Sequence, residues 1–136
     1  MTIVPGRFDF SLDVRAYDEA VLAALDERVD RIVASIEQRR GVKFHLGTKA
    51  RAAVGPSDPA IFAGLEQAMD RLGMPRHRLG SPASHDGAAF SAAGVPIGMI
   101  FVRNRNGSHN SREEMTISDF LDGTAVLTEW ICANVA

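Results

Sequence analysis

The chain has 136 residues, of which 46% are hydrophobic and 24% charged, proportions that are usual for a globular protein of one or two small domains. Its 15 Lys and Arg residues nearly balance 17 Asp and Glu residues, and the net charge of -2 gives no reason to expect nucleic acid or an anionic membrane as a partner. The longest apolar run, residues 95–102, is far shorter than the roughly 20 residues needed to span a bilayer.

The beginning of the chain shows neither a basic segment nor a long apolar segment of the kind found in secretion signals. A single cysteine, Cys132, excludes an internal disulfide, and together these features predict a cytoplasmic protein. Cys132 lies in the last predicted helix without any basic neighbour that would activate it, so we expect a packed thiol rather than a nucleophile.

The first part of the chain has the pattern of a β-α-β unit. Residues 7–15 alternate polar and apolar side chains, which predicts a strand with its apolar face buried. A helix follows, with Asp18 as N-cap, apolar residues every three or four positions, and Gly41 at its end. Residues 42–54 predict a second strand, parallel to the first, and the helix covers one face of this sheet.

A linker at Gly55-Pro56-Ser57-Asp58-Pro59 divides the chain into two predicted domains, residues 1–55 and residues 56–136. The second domain begins with an amphipathic helix that ends at Gly73. The predicted elements after it are a short helix of small residues over 85–93, a strand over 95–102 and a closing helix over 118–135. Ser118 is the expected N-cap of the closing helix.

Continuous apolar character over residues 95–102 predicts a strand buried on both faces. This second domain offers no other strand to pair with it, and the first domain also holds an incomplete sheet. The pattern therefore predicts either a piece of a larger protein or a homo-oligomer in which chains complete each other's sheets.

Two of the four histidines lie in settings that suit a functional site. His85 begins the short helix of small residues, and His109 lies in the polar loop that follows the predicted strand, where α/β proteins place their sites. Both also fit the simpler interpretation of loop histidines with local hydrogen bonds. Two histidines alone fall short of the three protein ligands that a catalytic zinc normally takes.

The tripeptide Ser84-His85-Asp86 contains the residue types of a serine-hydrolase triad, but consecutive residues rarely converge on one reacting atom, and the chain has no G-x-S-x-G motif. Arg15 is a further candidate on the polar face of the first predicted strand, beside Asp13. It is either a surface residue in a weak ion pair or a two-point clamp for a carboxylate.

Three segments of the chain resemble a family of two-zinc hydrolases. They are residues 4–15, residues 81–88, and residues 95–104 followed by Gly107-Ser108-His109-Asn110. The family includes N-carbamoyl-L-amino-acid hydrolases, β-ureidopropionase and allantoate amidohydrolase. The order and spacing of the segments are similar across essentially the whole chain, and the third segment is the most specific.

The resemblance implies roles for three residues. His109 is expected to ligate one zinc, His85 to contact the scissile amide or ureido group and stabilise charge in the transition state, and Arg15 to bind the substrate carboxylate from a lid domain. Asp86 matches the family pattern, and we expect it to orient His85 or to cap the helix. The chain departs from the family at Thr2, where Asn is frequent, and at Ser84, where the family has Gly.

The implied fold is α/β: a partial β-α-β lid and dimerisation module over residues 1–55, then the C-terminal part of a zinc-hydrolase catalytic domain over residues 56–136. Zinc or manganese is the cofactor in the parent family, but the general base and most metal ligands of that family are absent from this sequence. We therefore expect a fragment that is inactive alone and binds no metal. The alternatives are a non-catalytic dimerisation or interaction module, or a separate polypeptide that supplies the missing N-terminal half.

Overall fold

The structure, a computed structural model, describes residues 5–134. Within these residues the backbone forms four α-helices, α1 (Glu19–Arg40), α2 (Pro59–Arg71), α3 (Asp86–Ala92) and α4 (Ile117–Asn134). The chain divides into two compact units, Met1–Val54 and Gly55–Ala136. The assignment of these units to a lid and a catalytic domain remains a prediction.

The predicted first helix is confirmed as α1, with both of its caps. The Asp18 carboxylate accepts a hydrogen bond from the backbone N–H of Val21 at 3.0 Å, which satisfies one of the free donors of the first turn. At the other end Gly41 has a φ of 65°, and its N–H donates to the carbonyl of Glu37. None of the residues of α1 is buried.

Residues 42–54 are attached to α1 by charged side chains. Lys49 Nζ donates to Asp26 Oδ1 at 2.6 Å and to Asp30 Oδ1 at 2.7 Å. Arg51 donates to the second oxygen of Asp26. These ion pairs hold the segment against the helix without any ladder of backbone hydrogen bonds.

The predicted strands over residues 7–15, 42–54 and 95–102 are wrong, because the structure assigns no β-strand within residues 5–134. Backbone pairing in this part of the chain is limited to one isolated antiparallel bridge between Arg105 and Glu114. A strand is stabilised by a neighbour that accepts and donates its backbone hydrogen bonds, and each of these segments lacks such a neighbour here. The coarse class is therefore mostly helical, and the predicted β-α-β unit is not found.

The apolar face predicted for residues 7–15 is also not buried. Phe8 is 79% exposed, and Phe10 and Leu12 are each 63% exposed. The rings of Phe8 and Phe10 contact each other with their centroids 5.9 Å apart. Polar and apolar side chains alternate as predicted, but no other segment of the described unit covers the apolar side chains of Phe8, Phe10 and Leu12.

The core of the second unit lies between α2 and α4. Leu65, Ala68 and Val126 are buried there, and they are surrounded by the partly buried side chains of Ile61, Met69, Met74, Ile100 and Trp130. The two helices approach closely at Gly64, where an added Cβ would lie 2.7 Å from Trp130 Nε1.

Residues 95–102 cross this helix pair as an irregular segment. The Ile97 carbonyl accepts a hydrogen bond from the backbone N–H of Asp58, the N-cap of α2, at 2.7 Å. At the far end of the segment Val102 packs against α4, where a Cβ at Gly123 would lie 2.7 Å from Val102 Cγ2. None of residues 95–102 is buried, and Val95 is 47% exposed, so the prediction of burial on both faces is wrong.

Helices α2, α3 and α4 confirm the three helices predicted for the second unit, with small differences at their ends. Helix α4 begins at Ile117, and Thr116 Oγ1 accepts a hydrogen bond from Asp119 N at 3.1 Å, so the N-cap is Thr116 and not Ser118. Cys132 is exposed, which contradicts the expected packed thiol. Thr2 and the predicted helix end at Val135 lie outside the described residues. In this part of the chain no helix is both long and apolar enough to cross a membrane.

Candidate functional site

Arg15 lies in the first unit with its side chain 56% exposed. Its Nε donates to the two carboxylate oxygens of Asp13 at 3.0 and 2.9 Å, and a second guanidinium nitrogen also donates to Asp13. These hydrogen bonds raise the pKa of Arg15 and lower the pKa of Asp13. Asp13 holds two nitrogens of the guanidinium, so the guanidinium is oriented, and any other carboxylate that binds it has to displace Asp13 or share the guanidinium with it.

His85 lies at the N-cap position of α3, with φ -150° and ψ 166°. Its side chain makes no capping hydrogen bond, and its backbone carbonyl accepts from Ala88 N at 3.0 Å. The half-buried imidazole lies beside Gly87, where an added Cβ would be 2.8 Å from His85 Nδ1 and 2.9 Å from Cε1. Only glycine leaves room for this position of the ring.

Asp86 is the first residue of α3 and not its N-cap, which corrects one of the two roles expected for it. A carboxylate in the first turn is favourable there because the N-terminal end of a helix carries partial positive charge.

His109 lies on a loop over residues 104–114, which we call the His109 loop. The backbone of Asn106, Gly107 and His109 adopts left-handed conformations with φ of 64°, 71° and 62°. His109 is exposed. The loop closes where Arg105 N donates to the Glu114 carbonyl at 2.8 Å.

Glu113 connects the two ends of the His109 loop. Its Oε1 accepts hydrogen bonds from Asn104 Nδ2 at 2.8 Å and from Ser108 Oγ at 3.0 Å. Its Oε2 accepts from the backbone N–H of His109 at 2.9 Å. The hydrogen bonds from Asn104, His109 and Ser108, in that order of size, hold the pKa of Glu113 below its usual value.

Sequence reasoning missed Glu113. An acidic residue in a polar loop is usually solvated, and its spacing of four residues from His109 carries no specific signal. Only the folded loop shows that Asn104, Ser108 and the His109 amide all donate to the Glu113 carboxylate.

The three predicted residues are held on separate elements. Arg15 belongs to the first compact unit, whereas His85 and His109 belong to the second. Within the second unit His85 begins α3 and His109 lies on the loop that precedes α4, and no hydrogen bond joins these two described residues. The structure therefore places each residue but does not test the roles implied for them.

The described residues do not form a metal centre by themselves. No group of three or more His, Cys, Asp or Glu residues within 5–134 is arranged to hold a metal ion. A catalytic zinc takes three protein ligands, and His109 would supply only one imidazole. We therefore assign no reaction step to a metal held by these residues alone.

Comparison with known proteins places the chain in a family. Residues 6–133 match the sequence model of peptidase family M20/M25/M40. The chain is 31% identical over 134 residues to an N-carbamoyl-L-amino-acid amidohydrolase of Pseudomonas sp. (strain NS671). The aligned region covers 98% of this chain and 32% of that relative. The chain is also 31% identical over 137 residues to an N-carbamoyl-L-amino acid amidohydrolase of Geobacillus stearothermophilus, covering 98% of this chain and 33% of that relative.

The allantoate amidohydrolase of Escherichia coli (strain K12) is 28% identical over 128 residues, covering 93% of this chain and 31% of that relative. No solved structure matches the chain significantly. The chain spans about a third of the length of these curated relatives. Since the family match extends over nearly every residue, the resemblance carried by the three sequence segments is confirmed, and the chain belongs to peptidase family M20/M25/M40.

Proposed function

We propose that the chain is part of a metal-dependent hydrolase of linear amide or ureido C–N bonds, of the kind found in N-carbamoyl amino acids and allantoate. The observation that carries this proposal is the similarity over 98% of the chain to an N-carbamoyl-L-amino-acid amidohydrolase. The exposed, oriented Arg15 and the half-buried His85 are consistent with the residue roles implied by the resemblance. The substrate is a small molecule with a carboxylate, and the cytoplasm is the proposed location.

Arg15 is the residue that we propose to bind the substrate carboxylate. The guanidinium already holds the carboxylate of Asp13 through more than one nitrogen, which is the geometry that a substrate carboxylate would use. Lysine offers a single charged point and not a planar fork, so it would be a poor replacement. Asp13 keeps the guanidinium oriented until the substrate arrives.

His85 and His109 are proposed to serve the reacting group and the metal. The imidazole of His85 makes no capping hydrogen bond in α3, so its nitrogens remain for the carbonyl of the scissile group. His109 is proposed as one ligand of zinc or manganese. The other ligands and the general base are proposed to lie outside this sequence, so that this chain on its own holds no metal tightly and hydrolyses no such substrate.

A second candidate function is a non-catalytic dimerisation or interaction module, with a homo-oligomer as the first possibility. The observation that favours it is the apolar surface of the first unit, where Phe8, Phe10 and Leu12 are 63% to 79% exposed. Single exposed apolar residues are normal, but neighbouring ones mark a surface that another chain covers. If this candidate is correct, the isolated chain forms oligomers that Phe8→Ser with Phe10→Ser dissociates.

The test of the main proposal is a chimera in which this chain replaces the segment of the Pseudomonas relative that it matches, about a third of that protein. We expect hydrolysis of an N-carbamoyl amino acid or allantoate by the chimera and none by this chain alone. A chimera that folds and holds its metals but hydrolyses neither substrate would refute the proposal. Hydrolysis by this chain alone would refute the claim that the chain is inactive by itself.

A matched pair of variants in the chimera tests Arg15. Arg15→Lys is expected to raise KM by roughly tenfold or more with a smaller change in kcat, since a two-point hydrogen bond to the carboxylate is lost. Arg7→Lys is the control, because Arg7 makes a similar exposed pair with Asp9, at 3.0 Å. Equal effects of the two substitutions would contradict a specific role for Arg15.

A further inference from the structure

The side chain of Glu113 accepts three hydrogen bonds within the His109 loop. Both of its carboxylate oxygens are occupied, Oε1 by Asn104 Nδ2 and Ser108 Oγ and Oε2 by the backbone N–H of His109. Asn104 begins the loop, and Ser108 and His109 lie near its middle. One carboxylate therefore links the start of the loop to the residue proposed as a metal ligand.

Glu113 accepts a hydrogen bond from the amide of His109, whose backbone is in a left-handed conformation. His109 has a φ of 62° and Asn106 a φ of 64°, in the left-handed region that residues other than glycine rarely occupy. Such conformations persist only where surrounding contacts hold them. At His109 the backbone hydrogen bond is made to Glu113 Oε2 at 2.9 Å.

A direct role for Glu113 at the substrate is less consistent with its contacts. An ionised carboxylate only accepts hydrogen bonds, and here three donors already occupy it. Its neighbour Glu114 differs: that side chain is 61% exposed and lies 4.0 Å from Arg105, outside the network. Glu114 therefore serves as the control for substitutions of Glu113, because it is the same residue type at the adjacent position but lies outside the hydrogen-bond network.

We propose that Glu113 is a positioning residue, which fixes the left-handed backbone at His109 and so sets the direction in which the His109 imidazole points. This inference rests on the proposed function in one respect, namely that His109 acts at the site. The effect of Glu113 on the loop itself is independent of that function.

The experiment measures amide hydrogen exchange by NMR in the complete chain, in the wild type and in Glu113→Ala, Glu113→Gln and Glu114→Ala. Glu113→Ala is expected to speed exchange at the His109 amide roughly tenfold, since one hydrogen bond to a charged acceptor is lost. The buried Ala68 amide reports whether the core remains folded. Glu114→Ala is expected to leave the His109 amide unchanged.

Glu113→Gln provides the rescue. The glutamine oxygen can accept from the His109 N–H, and its NH₂ group can donate to the oxygen of a reoriented Asn104 amide, so the network is retained without the charge. We expect exchange at His109 to stay within about threefold of the wild type, since the bond to the backbone is kept. Wild-type exchange in Glu113→Ala, or the same acceleration in Glu114→Ala, would overturn the inference.

If Glu113→Ala does not fold, Glu113→Asp replaces it. Its carboxylate is withdrawn by one methylene and has to release either Asn104 or His109, so faster exchange at one of these two residues supports the inference and wild-type exchange at both overturns it. In the chimera, Glu113→Ala is expected to weaken metal binding about 10- to 100-fold, and Glu113→Gln to restore it. Failure of the proposed function would appear as an inactive wild-type chimera, whereas failure of the positioning role would appear as unchanged exchange at His109.

Discussion

Replacing Leu65 by alanine tests whether the contact between α2 and α4 holds the second unit together. Leu65 is 8% exposed and belongs to a cluster with Ala68 and Val126. Truncating a buried leucine costs about 2–5 kcal/mol, depending on how far the surroundings collapse into the cavity. The backbone of Gly98 lies close to the Leu65 side chain, since a Cβ added at Gly98 would be 3.3 Å from Leu65 Cδ1. This backbone restricts how far the surroundings can collapse into the cavity. We therefore expect a loss of about 3 kcal/mol.

That loss is large for a unit of this size. At about 0.05–0.15 kcal/mol per residue, the free energy of unfolding of a unit of about 80 residues is about 4–12 kcal/mol. Urea denaturation followed by the fluorescence of Trp130 suits the measurement, since Trp130 is the single tryptophan of the chain and packs against the cluster.

The control is Leu121→Ala, which removes the same atoms from a residue of α4 that is 57% exposed. We expect the control to cost less than about 1 kcal/mol, because little apolar surface returns to water. Equal losses in Leu65→Ala and Leu121→Ala would refute the assignment of the core to the interface between α2 and α4.

Three further predictions concern single contacts. Gly87→Ala should displace the His85 imidazole, because the new Cβ would lie 2.8 Å from Nδ1, and an unchanged NMR shift of the His85 ring would contradict this. The hydrogen bond from Lys49 lowers the pKa of Asp26 from its ordinary 3.8, so the stability gained from this pair is present above that pH and is lost as pH falls through the lower folded pKa. Asp26→Asn should remove this acid-dependent part of an NMR or circular dichroism titration, and an unaltered titration would count against the pair. Cys132 should react with a thiol reagent in the native chain at nearly the rate of the urea-unfolded chain, and strong native protection would disprove its exposure.

Local chemistry made the helices predictable. Asp18 as N-cap and Gly41 as C-cap depend on contacts within a few residues, and both predictions are confirmed. The exact start of α4 was not predictable, because Thr116 and Ser118 are both good N-cap residues and only the hydrogen bond that Thr116 Oγ1 accepts from Asp119 N distinguishes them. The family was predictable from three short segments, since a resemblance of motifs requires no knowledge of the fold.

What the sequence by itself determined was thus the helices, their caps and the family, all of which depend on neighbours along the chain or on motif likeness. The tertiary structure alone decided that residues 95–102 are only partly covered, that Phe8 is exposed, and that Glu113 accepts hydrogen bonds from Asn104, Ser108 and His109. An alternating or apolar segment predicts a strand only if a partner segment is there to accept its hydrogen bonds, and a loop carboxylate gains a role only when folding brings donors to it. Both depend on residues distant in the sequence or on the exact turn of the backbone, which residue spacing does not contain.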